Sequence, residues 1–267
     1  SEITNFESLK AVAEDIHARA AELGFDAFTN AGLADSSSWR FSGHLITLPL
    51  HYEGITSKTE IKGTYLDEYK NIWDLYLNNS ATDPVANNEA GDGAEAEFGE
   101  GKAVFYQNGS WEYSAVTTNY GMNADDLQMI PLYCGHAGEE NAAWCSGTEA
   151  HWAVSNLASE ADQKATLDFM KWVVTSDEGT AMMAKEFGPI PFKNAKEPEN
   201  VFFAQANELL ASGKYNVSWA FNYTPAVADF RAGLVSALKQ YAVDGNWEPV
   251  KTAFVDGWNT LLAQEAE

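Results

Sequence analysis

Residues 101–116, GKAVFYQNGSWEYSAV, limit what this chain can fold into more than any other stretch. Lys102 to Gln107 read as a short strand. Asn108-Gly109 breaks it, and Ser110 is suited to cap a helix whose first turn carries Trp111. A strand that turns at once into a helix belongs to an α/β fold, where ligands bind at the carboxyl ends of the strands. A large indole at that place calls for a partner with a flat face.

The rest of the chain supplies many helices and few strands. TNFESLKAVAEDIHARAAELG carries a Thr4/Glu7 capping box and an apolar stripe of Phe6, Leu9, Ala13, Ile16, Ala20 and Leu23, ending at Gly24. DAFT is a short strand. SWRFSGHLITLPLHYE reads as helical to Leu48, with Pro49 disturbing it. Leu66, Tyr69, Trp73 and Tyr76 recur at helical spacing. DPVANNEAGDGAEAEFGEG is a loop leading into a short helix. LQMIPLY and EAHWAVSN read as strands and PIPF as extended. A helix pair is entered at Ser159 and closed at Gly188. Three more helices follow: one with Pro198 near its start, one capped by Thr224 with Pro225 at its first position, and the closing NWEPVKTAFVDGWNTLLAQ. Trp73, Trp172 and Trp258 lie on apolar helical stripes and read as core. The chain has no internal repeat.

With 16 basic and 39 acidic residues the chain carries a net charge of −23. Phosphate recognition needs a positive footprint, so this balance argues strongly against a nucleic-acid partner and also against an anionic membrane surface. The acids are spread along the chain and read as a solubilising surface. No apolar run approaches the roughly 18 residues of a membrane span, and no signal peptide is present. The chain opens in SEITNFESL, already helical, so it is expected to be either cytosolic or without its true N-terminus.

Motifs of catalysis are missing. GDGAEAEFGEG lacks the Lys-Ser/Thr of a phosphate loop and follows no strand. There is no G-x-S-x-G elbow. The five histidines form no H-E-x-x-H pattern, so no metal site is expected. Among so many acids, pairs such as Asp125/Asp126 and Glu139/Glu140 arise by chance and do not mark a glycosidase. Cys134 and Cys145, in the polar stretch YCGHAGEENAAWCSG, read as a disulfide, with two free thiols as the alternative.

Four blocks carry a family resemblance. FGEGKAVFYQNGSWEYSAV resembles the signature of the carbohydrate-type extracellular solute-binding proteins of bacterial ABC importers: a Phe, a Gly-Lys-Ala, a strand, then Gly-x-Trp. GTEAHWAVSNLASEADQKATLDFMKWVVTSDEGTAMMAKEFGPIPF is similar to the next block of that family. SSSWRFSGHLITLPLHYE and the closing helices fit in family order. The resemblance implies a helix-rich α/β fold, periplasmic-binding-protein-like (type II) and two-lobed, of which this chain holds the second lobe plus part of the first. Residues 1–134 are expected to begin the second lobe, 135–192 to make an excursion into the first, and 193–267 to return. The signal segment, its lipoprotein cysteine and most of the first lobe are then absent from this sequence.

The implied function is an extracellular or periplasmic receptor, a cell-surface lipoprotein in many such systems, that delivers a carbohydrate to the permease subunits of an ABC importer. No catalysis, cofactor or metal is expected, and the receptor is a monomer. A secreted glycoside hydrolase is the alternative, and a β-sandwich lectin is disfavoured by the helix content. A sugar ring has an apolar C–H face, and an indole π-face attracts it, so Trp111 is the leading ligand residue. Ser38, Trp39 and Arg40 occupy the loop that enters the cleft in this family; Arg40 either donates to hydroxyls or pairs with an acid. Glu149 is a candidate acceptor of paired hydroxyls. Phe230, with Asp229, falls where the family places a second aromatic platform, with core packing as the alternative. Trp219 and Phe221 lie in a polar loop and are candidates for the cleft.

Overall fold

A computed structural model of the chain describes residues 2–91, 93–147, 151–188 and 192–266. In chain order it contains α1 (Phe6–Ala18), α2 (Ala20–Leu23), β1 (Asp26–Phe28), α3 (Thr47–Tyr52), α4 (Leu66–Asn78), α5 (Ala94–Gly99), β2 (Ala103–Phe105), α6 (Glu112–Asn119), β3 (Ala142–Ser146), α7 (Glu160–Thr175), α8 (Asp177–Phe187), α9 (Val201–Ala211), β4 (Tyr215–Ser218), α10 (Val227–Asp244) and α11 (Glu248–Glu265). The chain divides into two compact units. One comprises Ser1–Asn108, Ile130–Gly147 and Leu210–Glu267; the other comprises Gly109–Met129 and Thr148–Leu209.

The larger unit holds both strand pairs, each parallel. β1 pairs with β2 in the register Asp26↔Ala103 and Phe28↔Phe105. β3 pairs with β4 through a bulge between Ala142 and Cys145. Strands this short contribute few ladder bonds, so the unit depends on its helices. Phe6, Leu9 and Ala13 bury one stripe of α1. The helix is capped by Asn5 and Ser8, each side chain bonded to the other's backbone N–H, one residue later than the expected Thr4/Glu7 box. On α4, Leu66, Tyr69, Ile72, Trp73 and Tyr76 face inward, and Trp73 meets Phe41 edge to face at 4.6 Å. α10 and α11 pack side by side, with Phe230 edge-on to Phe254 at 5.8 Å and to Trp258 at 5.4 Å.

Several expectations need correction. The 38–52 stretch is not one helix stopped by Pro49. It is a π-turn, Arg40–His44, followed by α3, in which Pro49 sits in the first turn, where a missing N–H leaves no bond unmade. Residues 127–133 form no strand, because the side chain of Gln205 takes the bonds a neighbouring strand would take: its Nε2 donates to the Leu127 carbonyl and its Oε1 accepts from the Met129 N–H. His151–Ser155 are irregular too, while the start of that expected strand and the Pro189–Pro191 part of PIPF fall outside the described residues. α10 starts at Val227, not Pro225, after Ala226 in a left-handed conformation at φ 36°.

Cys134 and Cys145 are free thiols, which corrects the expected disulfide. Cys134 belongs to the apolar core of the larger unit, and Cys145, partly buried, packs against it. Burial pushes the Cys145 thiol up to about 12 and holds that of Cys134 far above the ordinary thiol range, and disulfide chemistry needs the thiolate. Neither thiol is expected to react with iodoacetamide at neutral pH until the protein is unfolded; stoichiometric alkylation of the native chain, read by mass spectrometry, would contradict this burial.

The smaller unit holds α6, α7, α8 and α9 up to Leu209. Ser159 and Ser176 cap α7 and α8 as their sequence positions suggest. Trp172 is not core: it is 39% exposed on α7 and stacks on the exposed ring of Phe169 at 5.9 Å.

Phe230 is 1% exposed, so of its two readings the structure supports core packing. Phe230→Ala is expected to destabilise the fold by about 3–5 kcal/mol, the cost of truncating a buried aromatic, in denaturant-induced unfolding. A loss under about 1 kcal/mol would return Phe230 to the candidate ligand residues.

Candidate functional site

The carboxyl end of the β1–β2 pair holds Arg40, one of the candidate residues of the larger unit. β1 runs out into Thr29 and Asn30, and β2 into Tyr106 and Gln107. Continuing the Phe28↔Phe105 register sets Asn30 level with Gln107. The guanidinium of Arg40 joins the two loops. Its Nη2 donates to the carbonyls of Asn30 at 3.1 Å and Ala31 at 3.5 Å, and its Nη1 to that of Gln107 at 3.4 Å. Arg40 was expected either to donate to hydroxyls or to pair with an acid; it is 2% exposed, and these three bonds go to backbone carbonyls. It instead fixes the backbone on which the site is built. Gly32, at φ +54°, lets this happen: a Cβ there would stand 2.8 Å from Arg40 Nη2 and 2.9 Å from Asn30 Oδ1.

The loop after β1 is further tied down by two side-chain acceptors, Glu97 Oε2 on the Asn30 N–H and Asn87 Oδ1 on the Ala31 N–H. What remains unmatched lies on the side chains. Thr29 Oγ1, Asn30 Oδ1 and Gln107 Oε1 are buried and have no hydrogen-bond partner among the described residues. A buried acceptor left unpaired costs about 1–3 kcal/mol. Three of them lie at the carboxyl edge of one parallel strand pair, the edge at which open α/β sheets bind ligands. Sequence reasoning missed all three.

An aromatic group lies beside them. Gln107 Nε2 lies 3.1 Å from His44 Nδ1. The amide donates, so the imidazole carries its proton on Nε2; in either orientation of the amide, one of its two polar atoms stays without a partner. The His44 ring stacks on Trp219 at 4.2 Å with Phe221 beyond, and Trp39 meets it edge-on at 4.7 Å. Burial, reinforced by the positive charges of Arg40 and Arg231, lowers the His44 pKa to about 3.

The other candidates fall elsewhere. Ser38 is buried, and its carbonyl accepts the Ser42 hydroxyl inside the π-turn. Trp219 is buried in its stack. Asp229 is exposed on the groove between α10 and α11, with Gly233, Ala253 and Asp256. Glu149 lies outside the described residues. Trp111, in the smaller unit, stands one position before α6 and is 50% exposed. Its indole occupies the space that a Cβ on Gly109 would need, so the NGSW turn requires that glycine. Among the described residues no helix is long and apolar enough to cross a membrane, and no group of three metal-ligating side chains occurs.

The low pKa of His44 carries a pH signature. Its folded pKa lies below the ordinary 6.5, so between about 6.5 and 3 the unfolded chain binds a proton that the folded chain does not. The stability this group confers is whole above 6.5 and drains away toward 3, at up to about 1.4 kcal/mol per pH unit. Thermal unfolding of the native chain and of His44→Gln is expected to converge as the pH falls from 7 to 4; parallel curves would show that His44 protonates freely in the fold.

Comparisons with known proteins agree with this architecture. The family model described as "Bacterial extracellular solute-binding protein" matches residues 2–211. The solved structure of a "Chitin oligosaccharide binding protein" is similar over 99% of this chain with a TM-score of 0.60 at 17% identity, a likeness of fold, and the chain spans 65% of that structure's length. No curated protein sequence matches. The fold is thus the helix-rich α/β, periplasmic-binding-protein-like one, and the chain belongs to the family of bacterial extracellular solute-binding proteins.

Proposed function

We propose that this chain is the ligand-binding part of an extracellular receptor that captures a carbohydrate, an oligosaccharide above all, and hands it to the permease subunits of an ABC importer. The carrying observation is the set of buried, unpartnered acceptors Thr29 Oγ1, Asn30 Oδ1 and Gln107 Oε1 at the carboxyl edge of β1 and β2. A sugar hydroxyl donates one hydrogen bond while accepting others, so a run of hydroxyls meets such acceptors without bringing in charge. The half-exposed indole of Trp111 offers the flat apolar surface that the C–H face of a pyranose covers. The similar solved structure, a chitin oligosaccharide binding protein, points the same way. The matching family and the similar solved structure are of binding proteins, which supports a reading of binding without turnover.

The lobe assignment expected from sequence belongs to this proposal. Residues 1–134 and 193–267 build one lobe and 135–192 reach into the other. The smaller compact unit takes in 148–192 of that excursion together with 109–129 and 193–209. The receptor works as a monomer outside the cytoplasm, held at the membrane by a lipid anchor or free in the periplasm.

An oligosaccharide array followed by calorimetry tests the function. Sugar binding is expected, and Trp111→Ala is expected to weaken it by about 2–4 kcal/mol, the scale of a central aromatic contact, with unchanged thermal unfolding. Absence of any sugar ligand would remove the proposal; unchanged affinity in the variant would remove Trp111 from it.

A further inference from the structure

The chain has three arginines against 39 acidic residues, and the way each is held differs. Arg19 pairs with Asp15 on the surface. Arg40 is buried on backbone carbonyls. Arg231, one turn into α10, is half-buried and donates through Nε to Ser42 Oγ at 3.2 Å. Among the described residues its two Nη groups have no partner, and no carboxylate lies within ion-pair distance. Asp229, two positions earlier, lines the groove toward α11 instead. In so acidic a chain an arginine in contact with water finds a carboxylate easily, and a half-buried guanidinium that has none is set aside for something else.

Its surroundings say for what. Ser42 belongs to the π-turn Arg40–His44, the turn that presents Arg40 to the strand ends and His44 to Gln107. Arg40 and Arg231 both act on His44, so the region beside the unpartnered acceptors is locally positive within a protein of net charge −23. A neutral hydroxyl accepts a single hydrogen bond from a guanidinium, and a cation is repelled by it. A carboxylate gains two parallel N–H···O bonds from a guanidinium fork.

We propose that Arg231 is a specificity-determining ligand residue that pairs with the carboxylate of an acidic sugar, a uronate unit, whose hydroxyls reach the acceptors of Thr29, Asn30 and Gln107. The inference rests on the sugar-binding reading above and narrows its ligand class.

The test is an array holding neutral oligosaccharides and their uronate-containing counterparts, followed by calorimetry on the strongest ligands with the native chain, Arg231→Gln and Arg231→Lys. Acidic sugars are expected to head the array. Arg231→Gln is expected to lose about tenfold in affinity for them and to lose less for neutral sugars, so that the preference for acidic ligands shrinks, and Arg231→Lys to keep part of the preference. Affinity of the native chain for the acidic ligand is expected to fall between low salt and about 0.5 M sodium chloride, a readout that holds even if a variant does not fold. Neutral sugars alone on the array, equal affinities for the acidic ligand in native and Arg231→Gln proteins, or binding indifferent to salt would each overturn the assignment and leave the sugar-binding reading standing. An array with no ligand at all would overturn both.

Discussion

The bonds from the Arg40 guanidinium to the carbonyls of Asn30, Ala31 and Gln107 hold the site together. Two strands of three residues each cannot by themselves fix the loops that follow them, because so few ladder bonds resist fraying. A buried cation that three carbonyl dipoles satisfy does fix them, and it makes the cost of disturbing them high: removing it leaves those carbonyls without their donors. Burial keeps its neighbour His44 neutral, and the same charge reinforces this. His44 stays deprotonated beside Arg40 and Arg231, and only a neutral imidazole can accept from the Gln107 amide. One π-turn thus carries both the side chain that fixes the backbone and the imidazole that meets Gln107 and stacks on Trp219.

That turn also shows why the sequence was readable in some places and not in others. Helices announced themselves through stripes and caps: Ser159, Ser176 and the apolar positions of α4 lie where their spacing implies. DAFT and AVFYQ were legible as strands because short apolar runs end there in amide or turn residues. LQMIPLY carries the same signal and forms no strand, since its backbone partner is a side chain, Gln205, from far along the sequence. β3 and β4 pair across some seventy residues, and neither AAWCS nor YNVS has a pattern that betrays a long-range partner.

The site divides along the same line. Residue types suited to sugar, such as Trp39, Trp111 and Trp219, could be picked out from chemistry and from family order. Thr29, Asn30 and Gln107 could not, because what distinguishes them is a missing partner, and a missing partner is a property of the whole fold. Arg40 and Phe230 were legible as residues but not in their roles. A guanidinium and a phenyl ring serve equally well in a core or at a surface, and only burial decides between the two.

Burial also ranks the aromatic candidates. A stacking platform contributes to affinity the apolar area that the ligand newly covers, about 25 cal/mol per Å². An aromatic ring already covered in the free protein has almost none left to give. Phe230 has its faces filled by Phe254 and Trp258, and Trp219 by His44 and Phe221. Trp111 keeps half of its surface open, and the glycine two positions before it lets the indole fold against the chain without losing that surface. Of Phe230, Trp219 and Trp111, only Trp111 therefore keeps a large uncovered surface to offer, while the other two are spent on packing within the larger unit.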